Sequence, residues 1–358
     1  MGLVPVARDD RAAVEAGTIF PMLGLERGFG WADYLRAKTP VQRSEGIWIK
    51  REDCFAPLGP GGPNGMKLRQ LVGLVEDYSR KGGSAGLITA ASVLSPQLSM
   101  GTLVAKHYGL PTTIVLGGTK PETAVKHPNV AIAKAAGAEL RFIPVGYNPA
   151  LQSEVRRLKE TEHQYLNHFW LRYGITNNYP EDARNVAWFH SISAEQVLNI
   201  PPEVETIAMA AGSCNSCISV LWGLARFRPA NIKRVVLFGI GPNKWEWVEK
   251  RLGLIEQAAG QPVRALFSAS WLGESGAPYK LEYHDLHTSG YATYGDRMPY
   301  ALGNLELHPT YEGKILSYLD ENASRFDWFW HAQGDVLLWN IGVAPDPAVV
   351  LPFLRAAA

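Results

Sequence analysis

Two kinds of hydrophobic pattern alternate along residues 46–144. Short apolar runs, typical of buried strands, occupy residues 46–50, 85–90, 111–116 and 139–144. Segments with apolar side chains at helical spacing lie between the strands, at residues 67–81, 98–108 and 129–136. Because strands and helices alternate with short connections, the pattern predicts an α/β fold, in which helices cover a parallel sheet with right-handed crossovers.

The alternation continues less regularly toward the C-terminus. Residues 150–167 form a charged, mostly helical stretch that would link two lobes. Helices are predicted near residues 31–37, 193–198 and 217–226, and strands at residues 205–210, 233–239, 327–331 and 336–339.

Composition limits the classes of protein to which this chain can belong. Its 358 residues, 46% of them hydrophobic and 19% charged, suffice for one large domain or two intertwined ones. The net charge of +1 argues against a dominant phosphate-binding surface. No apolar run is long enough to span a membrane, and the first residues do not form a signal peptide. The three cysteines suit a reducing cytosol, so we expect a cytoplasmic protein, and no metal site is predicted.

Lys67 is the first candidate for chemistry. The Pro/Gly-rich residues 57–63 form a loop, and Leu68 begins the apolar face of the helix that follows. Lys67 therefore lies at the start of that helix, where the positive end of the helix dipole lowers the pKa of an ammonium group. A lysine with a lowered pKa suits Schiff-base chemistry. The alternative is a solvated lysine at a helix start.

Residues 212–216 (GSCNS) form the second candidate. This small-residue loop lies between a predicted buried strand and a helix, a position whose backbone N–H groups typically bind phosphate. It matches neither a Walker loop nor the G-x-G-x-x-G fingerprint. One rival interpretation is a redox or metal-binding C-x-x-C at Cys214 and Cys217, and another is a tight turn with buried cysteines.

Two further segments carry polar groups among apolar ones. Tyr311 and Glu312, just before a predicted helix, are a potential acid/base pair, although a carboxylate at a helix start is also ordinary. Residues 328–334 (WFWHAQG) read as an aromatic strand that ends in His331 and a glycine, which on its own is most often core.

In their joint order and spacing, these segments resemble the fold-type-II enzymes that use pyridoxal phosphate, the tryptophan-synthase-β-like superfamily. Within it the closest likeness is to 1-aminocyclopropane-1-carboxylate deaminase and D-cysteine desulfhydrase. Residues 49–54 (IKREDC) and 308–314 (HPTYEGK) are similar to that family's K-R-E-D-C and D-P-V-Y-E-G-K, its most specific parts. The cofactor lysine segment, the serine loop, the phosphate loop and the final H-x-G-G are matched by residues 67–69, 95–97, 212–216 and 330–334. The resemblance spans roughly residues 47–340.

The resemblance implies that pyridoxal 5′-phosphate is the cofactor and that Lys67 holds it as a Schiff base and later moves the α-proton. Ser95 and Gln97 would face the substrate carboxylate. The residues that would bind the cofactor phosphate are Gly212, Ser213, Cys214, Asn215 and Ser216.

The resemblance also implies roles for three residues of the last third. Tyr311 would act as a base or nucleophile on the substrate side. Glu312 would lie near the pyridine nitrogen and keep it protonated, which makes the ring a stronger electron sink. Tyr294 would be the aromatic residue against the substrate, with Tyr291 as its rival.

The departures from the family pattern cluster near the substrate. Pro96 stands where the family has an asparagine that bonds the phenolic oxygen of the cofactor, and Gln333 replaces a glycine of the final motif. The glycine-asparagine order before Lys67 is also changed, and the segment between Tyr294 and Tyr311 is shorter. We therefore expect that cofactor binding is retained and that the substrate is altered.

Three hypotheses for function follow. The first is a lyase or deaminase that acts on a small amino acid through an α-carbanion. The alternative is an α-decarboxylase of an amino acid, including one attached to a larger carrier such as a modified base. The third is a catalytically retired binding protein that keeps the fold of the pyridoxal-phosphate enzymes.

The expected architecture has two α/β lobes. A large cofactor-binding domain would comprise residues 1–69 and 176–358, and a small α/β domain of residues 70–175 would be inserted into it. A homodimer is the family expectation. The expected partner is a small amino-acid substrate, with no membrane and with nucleic acid only as a carrier of the substrate.

Overall fold

The computed structural model describes residues 35–58, 61–175, 182–269, 276–331 and 335–356. Within these ranges the chain forms two compact units. The first unit contains residues 36–54 and 182–343, and the second contains residues 55–175 and 344–356. The predicted domain boundaries stay a prediction.

The first unit is built on a seven-stranded sheet. Its strands are β1 (Val41–Ser44), β2 (Ile47–Arg51), β7 (Thr206–Ala211), β8 (Arg234–Gly239), β9 (Phe267–Ala269), β10 (Tyr279–Asp285) and β13 (Val336–Asn340). They lie in the order β1-β2-β13-β7-β8-β10-β9. All neighbours pair in parallel except β1 and β2, which are antiparallel. A small antiparallel pair, β11 (Ala301–Leu302) and β12 (Leu305–Glu306), belongs to the same unit.

Helices of the first unit pack beside this sheet. They are α6 (Ala183–Ala194), α7 (Asn215–Phe227), α8 (Trp245–Ala259), α9 (Glu312–Glu321) and α10 (Asp327–Trp330). Every residue of β7 and β13 is buried, as expected for central parallel strands that are covered on both faces. The core beside α9 contains Phe238, Ile315 and Phe329.

The second unit contains a four-stranded parallel sheet. Its strands are β3 (Leu87–Ala90), β4 (Thr112–Gly117), β5 (Glu139–Ile143) and β6 (Phe169–Leu171), in the order β5-β4-β3-β6. Its helices are α1 (Met66–Arg80), α2 (Gln97–His107), α3 (Pro121–Ala124), α4 (Pro128–Ala135), α5 (Asn148–Thr161) and α11 (Pro347–Ala356). The predicted parallel sheet and the predicted helices of this region are confirmed.

One predicted strand is wrong. Residues 327–331 were expected to be extended, but Asp327–Trp330 is a helical turn, closed by a hydrogen bond from the His331 N–H to the Asp327 carbonyl (2.8 Å). The turn buries Phe329 completely in the core. Aromatic residues favour strands only where a pleated surface receives them, and here core packing decides the conformation.

Several elements escaped sequence analysis. Strands β6, β9 and β10 and the long helix α8 were not predicted. Only the end of the helix expected at residues 31–37 falls in the described ranges, and residues 35 and 36 are helical. Residues 332–334 of the last motif also lie outside the described residues. No described helix is long and apolar enough to cross a membrane.

Candidate active site

Lys67 is the second residue of α1 and lies where the Pro/Gly-rich loop ends. Gly65, directly before the helix, has φ +92° and ψ −178°, a backbone conformation that favours glycine. The Lys67 side chain is partly exposed at the surface, yet its ammonium group lies deep enough that loss of water lowers its pKa to about 8. The direction agrees with the one predicted from the sequence, and burial is the cause in the folded chain.

Ser95 and Gln97 lie at the start of α2, which packs against α1 in the second unit. The buried Ser95 hydroxyl accepts a hydrogen bond from the Gln97 backbone N–H (3.3 Å). The Gln97 side-chain nitrogen donates to the Thr89 hydroxyl (2.7 Å) and to the Arg172 carbonyl (3.0 Å). Gln97 therefore anchors the start of α2, and its predicted contact with the substrate stays a prediction.

The segment of residues 212–216 leads from β7 into α7 in the first unit, and its last two residues begin the helix. Cys214, directly before the helix, has φ +64°, and its side chain makes no capping hydrogen bond at the helix start. The first N–H groups of a helix have no partner within it and form the positive end of its dipole. A Cβ added to Gly212 would lie 3.5 Å from Cε1 of Tyr311, so this ring lines the loop. The binding of the cofactor phosphate by this loop stays a prediction.

The C-x-x-C interpretation finds little support in the same loop. Cys214 and Cys217 are buried free thiols. A hydrogen bond with Cys214, together with burial, raises the pKa of the Cys217 thiol, whereas a reactive thiol needs a lowered pKa. Over the described part of the chain, no group of three His, Cys, Asp or Glu side chains is arranged to hold a metal ion.

Tyr311 and Tyr294 meet beside this loop. Their hydroxyl oxygens are 3.0 Å apart, and a Cβ added to Gly241, just after β8, would lie 3.9 Å from the Tyr294 ring. The buried Lys314 donates to the Tyr294 carbonyl oxygen (3.3 Å) and holds this segment in place. Tyr291, the predicted rival, instead donates its hydroxyl to Glu321 (2.9 Å). Of the two candidate tyrosines, the structure therefore brings Tyr294 to Tyr311.

Glu312 is the first residue of α9 and is fully buried. One carboxylate oxygen accepts a hydrogen bond from the Ile341 N–H (2.9 Å). The other, Oε2, is buried and has no hydrogen-bond partner among the described residues. Burial raises the pKa of Glu312 to about 8. A buried acceptor without a partner is costly unless a ligand supplies the donor, so Oε2 marks a place for a protonated group.

Two polar residues near Glu312, Asp53 and Asn340, had no role predicted from the sequence. Asp53 lies two residues after β2, and Asn340 is the last residue of its partner strand β13; the two side chains are joined by a hydrogen bond of 2.9 Å. The available signal was the position of both residues at the ends of predicted strands, because carboxyl ends of parallel strands meet at one edge of a sheet. Asn340 lies one residue beyond the strand predicted to end at residue 339.

No family model matches the chain. The chain is 35% identical over 375 residues to an O-seryl-dTMP PLP-dependent decarboxylase of Salmonella phage ViI, a match that covers 92% of this chain and 87% of the relative.

Two solved structures share the fold. An ACC deaminase homologue matches with a TM-score of 0.65 at 20% identity, over 88% of this chain and 94% of that one. Maize serine racemase matches with a TM-score of 0.53 at 15% identity, over 91% of this chain and 96% of that one. At these identities the two likenesses concern the fold alone.

The fold, and the relative that spans almost the whole chain, place this protein in a class of cofactor-dependent enzymes. The chain belongs to the fold-type-II pyridoxal-phosphate-dependent enzymes. The superfamily and fold class predicted from the sequence motifs are therefore confirmed.

Proposed function

We propose that this protein is a pyridoxal-phosphate-dependent α-decarboxylase of an amino-acid group carried on a nucleotide. The observation that carries this proposal is the 35% identity, over 92% of the chain, to an O-seryl-dTMP PLP-dependent decarboxylase. This reaction was the alternative in the sequence analysis, and it now takes precedence over deamination. In O-seryl-dTMP the amino acid is a serine joined to the nucleotide through its side-chain oxygen, so the carrier is the nucleotide.

The described residues suit two parts of the cofactor, its ring nitrogen and its phosphate group. The unpartnered, buried Oε2 of Glu312 suits the protonated nitrogen of a pyridine ring. The start of α7, which follows Cys214, suits a phosphate group. Lys67 would hold the cofactor covalently. When bound, pyridoxal 5′-phosphate supplies an electron sink for the bond that breaks at the α-carbon.

In this reaction the bond between the α-carbon and the carboxylate breaks, carbon dioxide leaves, and a proton is added to the α-carbon. The residues of the chain would donate that proton, orient the carboxylate and hold the side chain of the amino acid. Lys67, with a pKa of about 8, gives and takes a proton near neutral pH and is our choice of donor to that carbon. The Ser95 hydroxyl would orient the substrate carboxylate, and Tyr294 and Tyr311 would hold the amino-acid side chain.

A lyase or deaminase acting on a small amino acid is the second candidate. It is favoured by the pair of tyrosine hydroxyls, 3.0 Å apart, at the two positions that the resemblance to 1-aminocyclopropane-1-carboxylate deaminase implies. The two reactions differ in products, since the deaminase releases ammonia and a keto acid.

The test combines an absorbance spectrum with product analysis. We expect a visible band for the wild type with pyridoxal 5′-phosphate, retained in Lys81→Ala and lost in Lys67→Ala. Lys81 directly follows the same helix and is largely exposed, so its variant is a matched control. With O-seryl-dTMP we expect carbon dioxide without ammonia.

Other products would change the assignment. Ammonia and a keto acid from serine, D-cysteine or 1-aminocyclopropane-1-carboxylate, without carbon dioxide, would favour the second candidate. If wild type shows no band, the fold serves a binding protein and neither reaction stands.

A further inference from the structure

The segment Lys50-Arg51-Glu52-Asp53 is the most family-like motif that the proposed function leaves unused. Its four charged side chains are buried and divide into two sets. Lys50 donates to Asn199 (2.6 Å), and Glu52 accepts from the Thr39 hydroxyl (3.1 Å). These two side chains therefore anchor the end of β2 to two other segments of the same chain, at Asn199 and Thr39.

Arg51 and Asp53 form the other set. The Arg51 guanidinium donates from Nε and from Nη2 to the Asp53 carboxylate at 2.7–3.1 Å, a two-pronged ion pair that is almost fully buried. Asp53 also accepts from the Asn340 amide nitrogen (2.9 Å). Its carboxylate is thus fixed by three donor groups from two strand ends.

Asn340 connects this ion pair to the turn that binds Glu312. Its side-chain oxygen accepts from the Gly342 N–H (3.2 Å), so the amide spans the turn after β13. The residue in the middle of that turn, Ile341, gives its N–H to Glu312. One continuous chain of hydrogen bonds and backbone therefore runs from Arg51 to the Glu312 carboxylate.

We propose that Arg51, Asp53 and Asn340 are positioning residues for Glu312, which fix the Ile341 turn so that one Glu312 oxygen is held and the other faces the ring nitrogen of the cofactor. This inference rests on the proposed function for the identity of the cofactor. The substitutions that test the inference change only residues of this chain.

The network acts through charge as well as position. The Asp53 carboxylate is the charged side chain that bears on Glu312 and makes its ionisation less favourable, in the same direction as burial, while the Ile341 N–H opposes both. The negative charge of Asp53 therefore favours a proton on Glu312, or on the cofactor nitrogen that Glu312 would face.

Asp53→Asn and Glu52→Gln form a matched pair of variants for the test. Both neutralise one buried carboxylate of the same segment, but only Asp53 contacts Asn340. The first readout is urea unfolding of the cofactor-free protein from pH 5 to pH 9, which follows the proton held by Glu312. We expect this titration to move down by roughly one pH unit in Asp53→Asn and to stay unchanged in Glu52→Gln.

The second readout is cofactor affinity, measured by the visible band. We expect Asn340→Leu, which leaves both charges but breaks the connection, to weaken pyridoxal 5′-phosphate binding about tenfold. The pH at which the band of the bound cofactor changes should move in Asp53→Asn and not in Glu52→Gln.

The outcomes separate the inference from the proposed function. A wild type that binds no cofactor contradicts the proposed function, yet the unfolding titration still reports whether Asp53 acts on Glu312. A wild type that binds cofactor, with Asp53→Asn and Asn340→Leu both matching Glu52→Gln, overturns the inference alone. If Asp53→Asn fails to fold, the test is the cofactor affinity of Asn340→Leu: an affinity equal to that of Glu52→Gln overturns the inference.

Discussion

Lys67 and Glu312 are the two ionisable side chains on which the proposed chemistry depends, and burial shifts the pKa of each to about 8. The shifts have opposite directions, because burial disfavours the charged form of a lysine and of a carboxylic acid alike. Near neutral pH each group can therefore gain or lose a proton.

The raised pKa of Glu312 predicts a pH dependence of stability. Between its ordinary value of 4.5 and about 8, the folded chain keeps a proton that the unfolded chain has released. This contribution to stability therefore falls as pH rises through that window, by at most about 1.4 kcal/mol per pH unit, and is constant above it. Glu312→Gln should remove the fall.

The measurement is urea unfolding of both cofactor-free proteins from pH 5 to pH 9. Their difference isolates Glu312, since the buried His190, whose pKa is lowered by burial, titrates in both proteins. The contribution of Lys67 to the free energy of unfolding begins to rise near pH 8, where the folded chain releases a proton that the unfolded chain still holds. Parallel curves for the two proteins would contradict the shifted pKa.

At the scale of single elements, the position of residues 212–216 depends on how α7 packs against its neighbours. Gly223, in the middle of α7, packs against the end of α6. A Cβ at this glycine would lie 2.3 Å from the Ala194 carbonyl oxygen and 2.9 Å from a Val197 methyl carbon. Gly253 in α8 is different, since the atoms nearest to its Cβ would belong to the flexible Arg264 guanidinium, at 3.4 Å.

These two glycines give opposite predictions for the same substitution. Gly253→Ala should stabilise the protein by up to about 1 kcal/mol, because alanine is the better helix former. Gly223→Ala should destabilise it by about 1–3 kcal/mol, because backbone at the contact cannot retreat as a flexible side chain can. Thermal unfolding of both variants tests this, and a stabilised Gly223→Ala would mean that α7 does not touch α6 so closely.

The elements also show what sequence can predict. Helix α1 and strands β3 and β4 were predicted within one or two residues, because their periodicity and glycine boundaries are local. The turn at Asp327–Trp330 was missed because its three aromatic residues look like a strand, and only the long-range packing of Phe329 decides otherwise. Glu312 was found through a motif, whereas the unpartnered oxygen that gives it meaning exists only in the folded chain.

At the scale of the whole molecule, binding of the cofactor should stabilise the folded protein against unfolding. A ligand present at one hundred times its Kd stabilises the folded state by about 2.7 kcal/mol. We expect pyridoxal 5′-phosphate to raise the unfolding midpoint accordingly. Pyridoxal, which lacks the phosphate, should give a much smaller shift at the same concentration if residues 212–216 bind that group.

The unfolding midpoint with each compound, by thermal shift, is the measurement. Equal shifts for the two compounds would argue against a phosphate site in the loop. The homodimer expected from the family stays a prediction at this scale.

The pairing of β2 with β13 has a consequence for synthesis. Residues 47–51 leave the ribosome long before their partners at residues 336–340, by roughly 15 to 60 s at about 5–20 residues per second. Until then β2 has only the antiparallel β1 beside it, and its other edge is unpaired and open to aggregation. The sheet of the second unit, made from residues 87–171 alone, is complete much earlier. The sheet of the second unit can therefore form while β2, made earlier, still waits for the strand that pairs with its second edge.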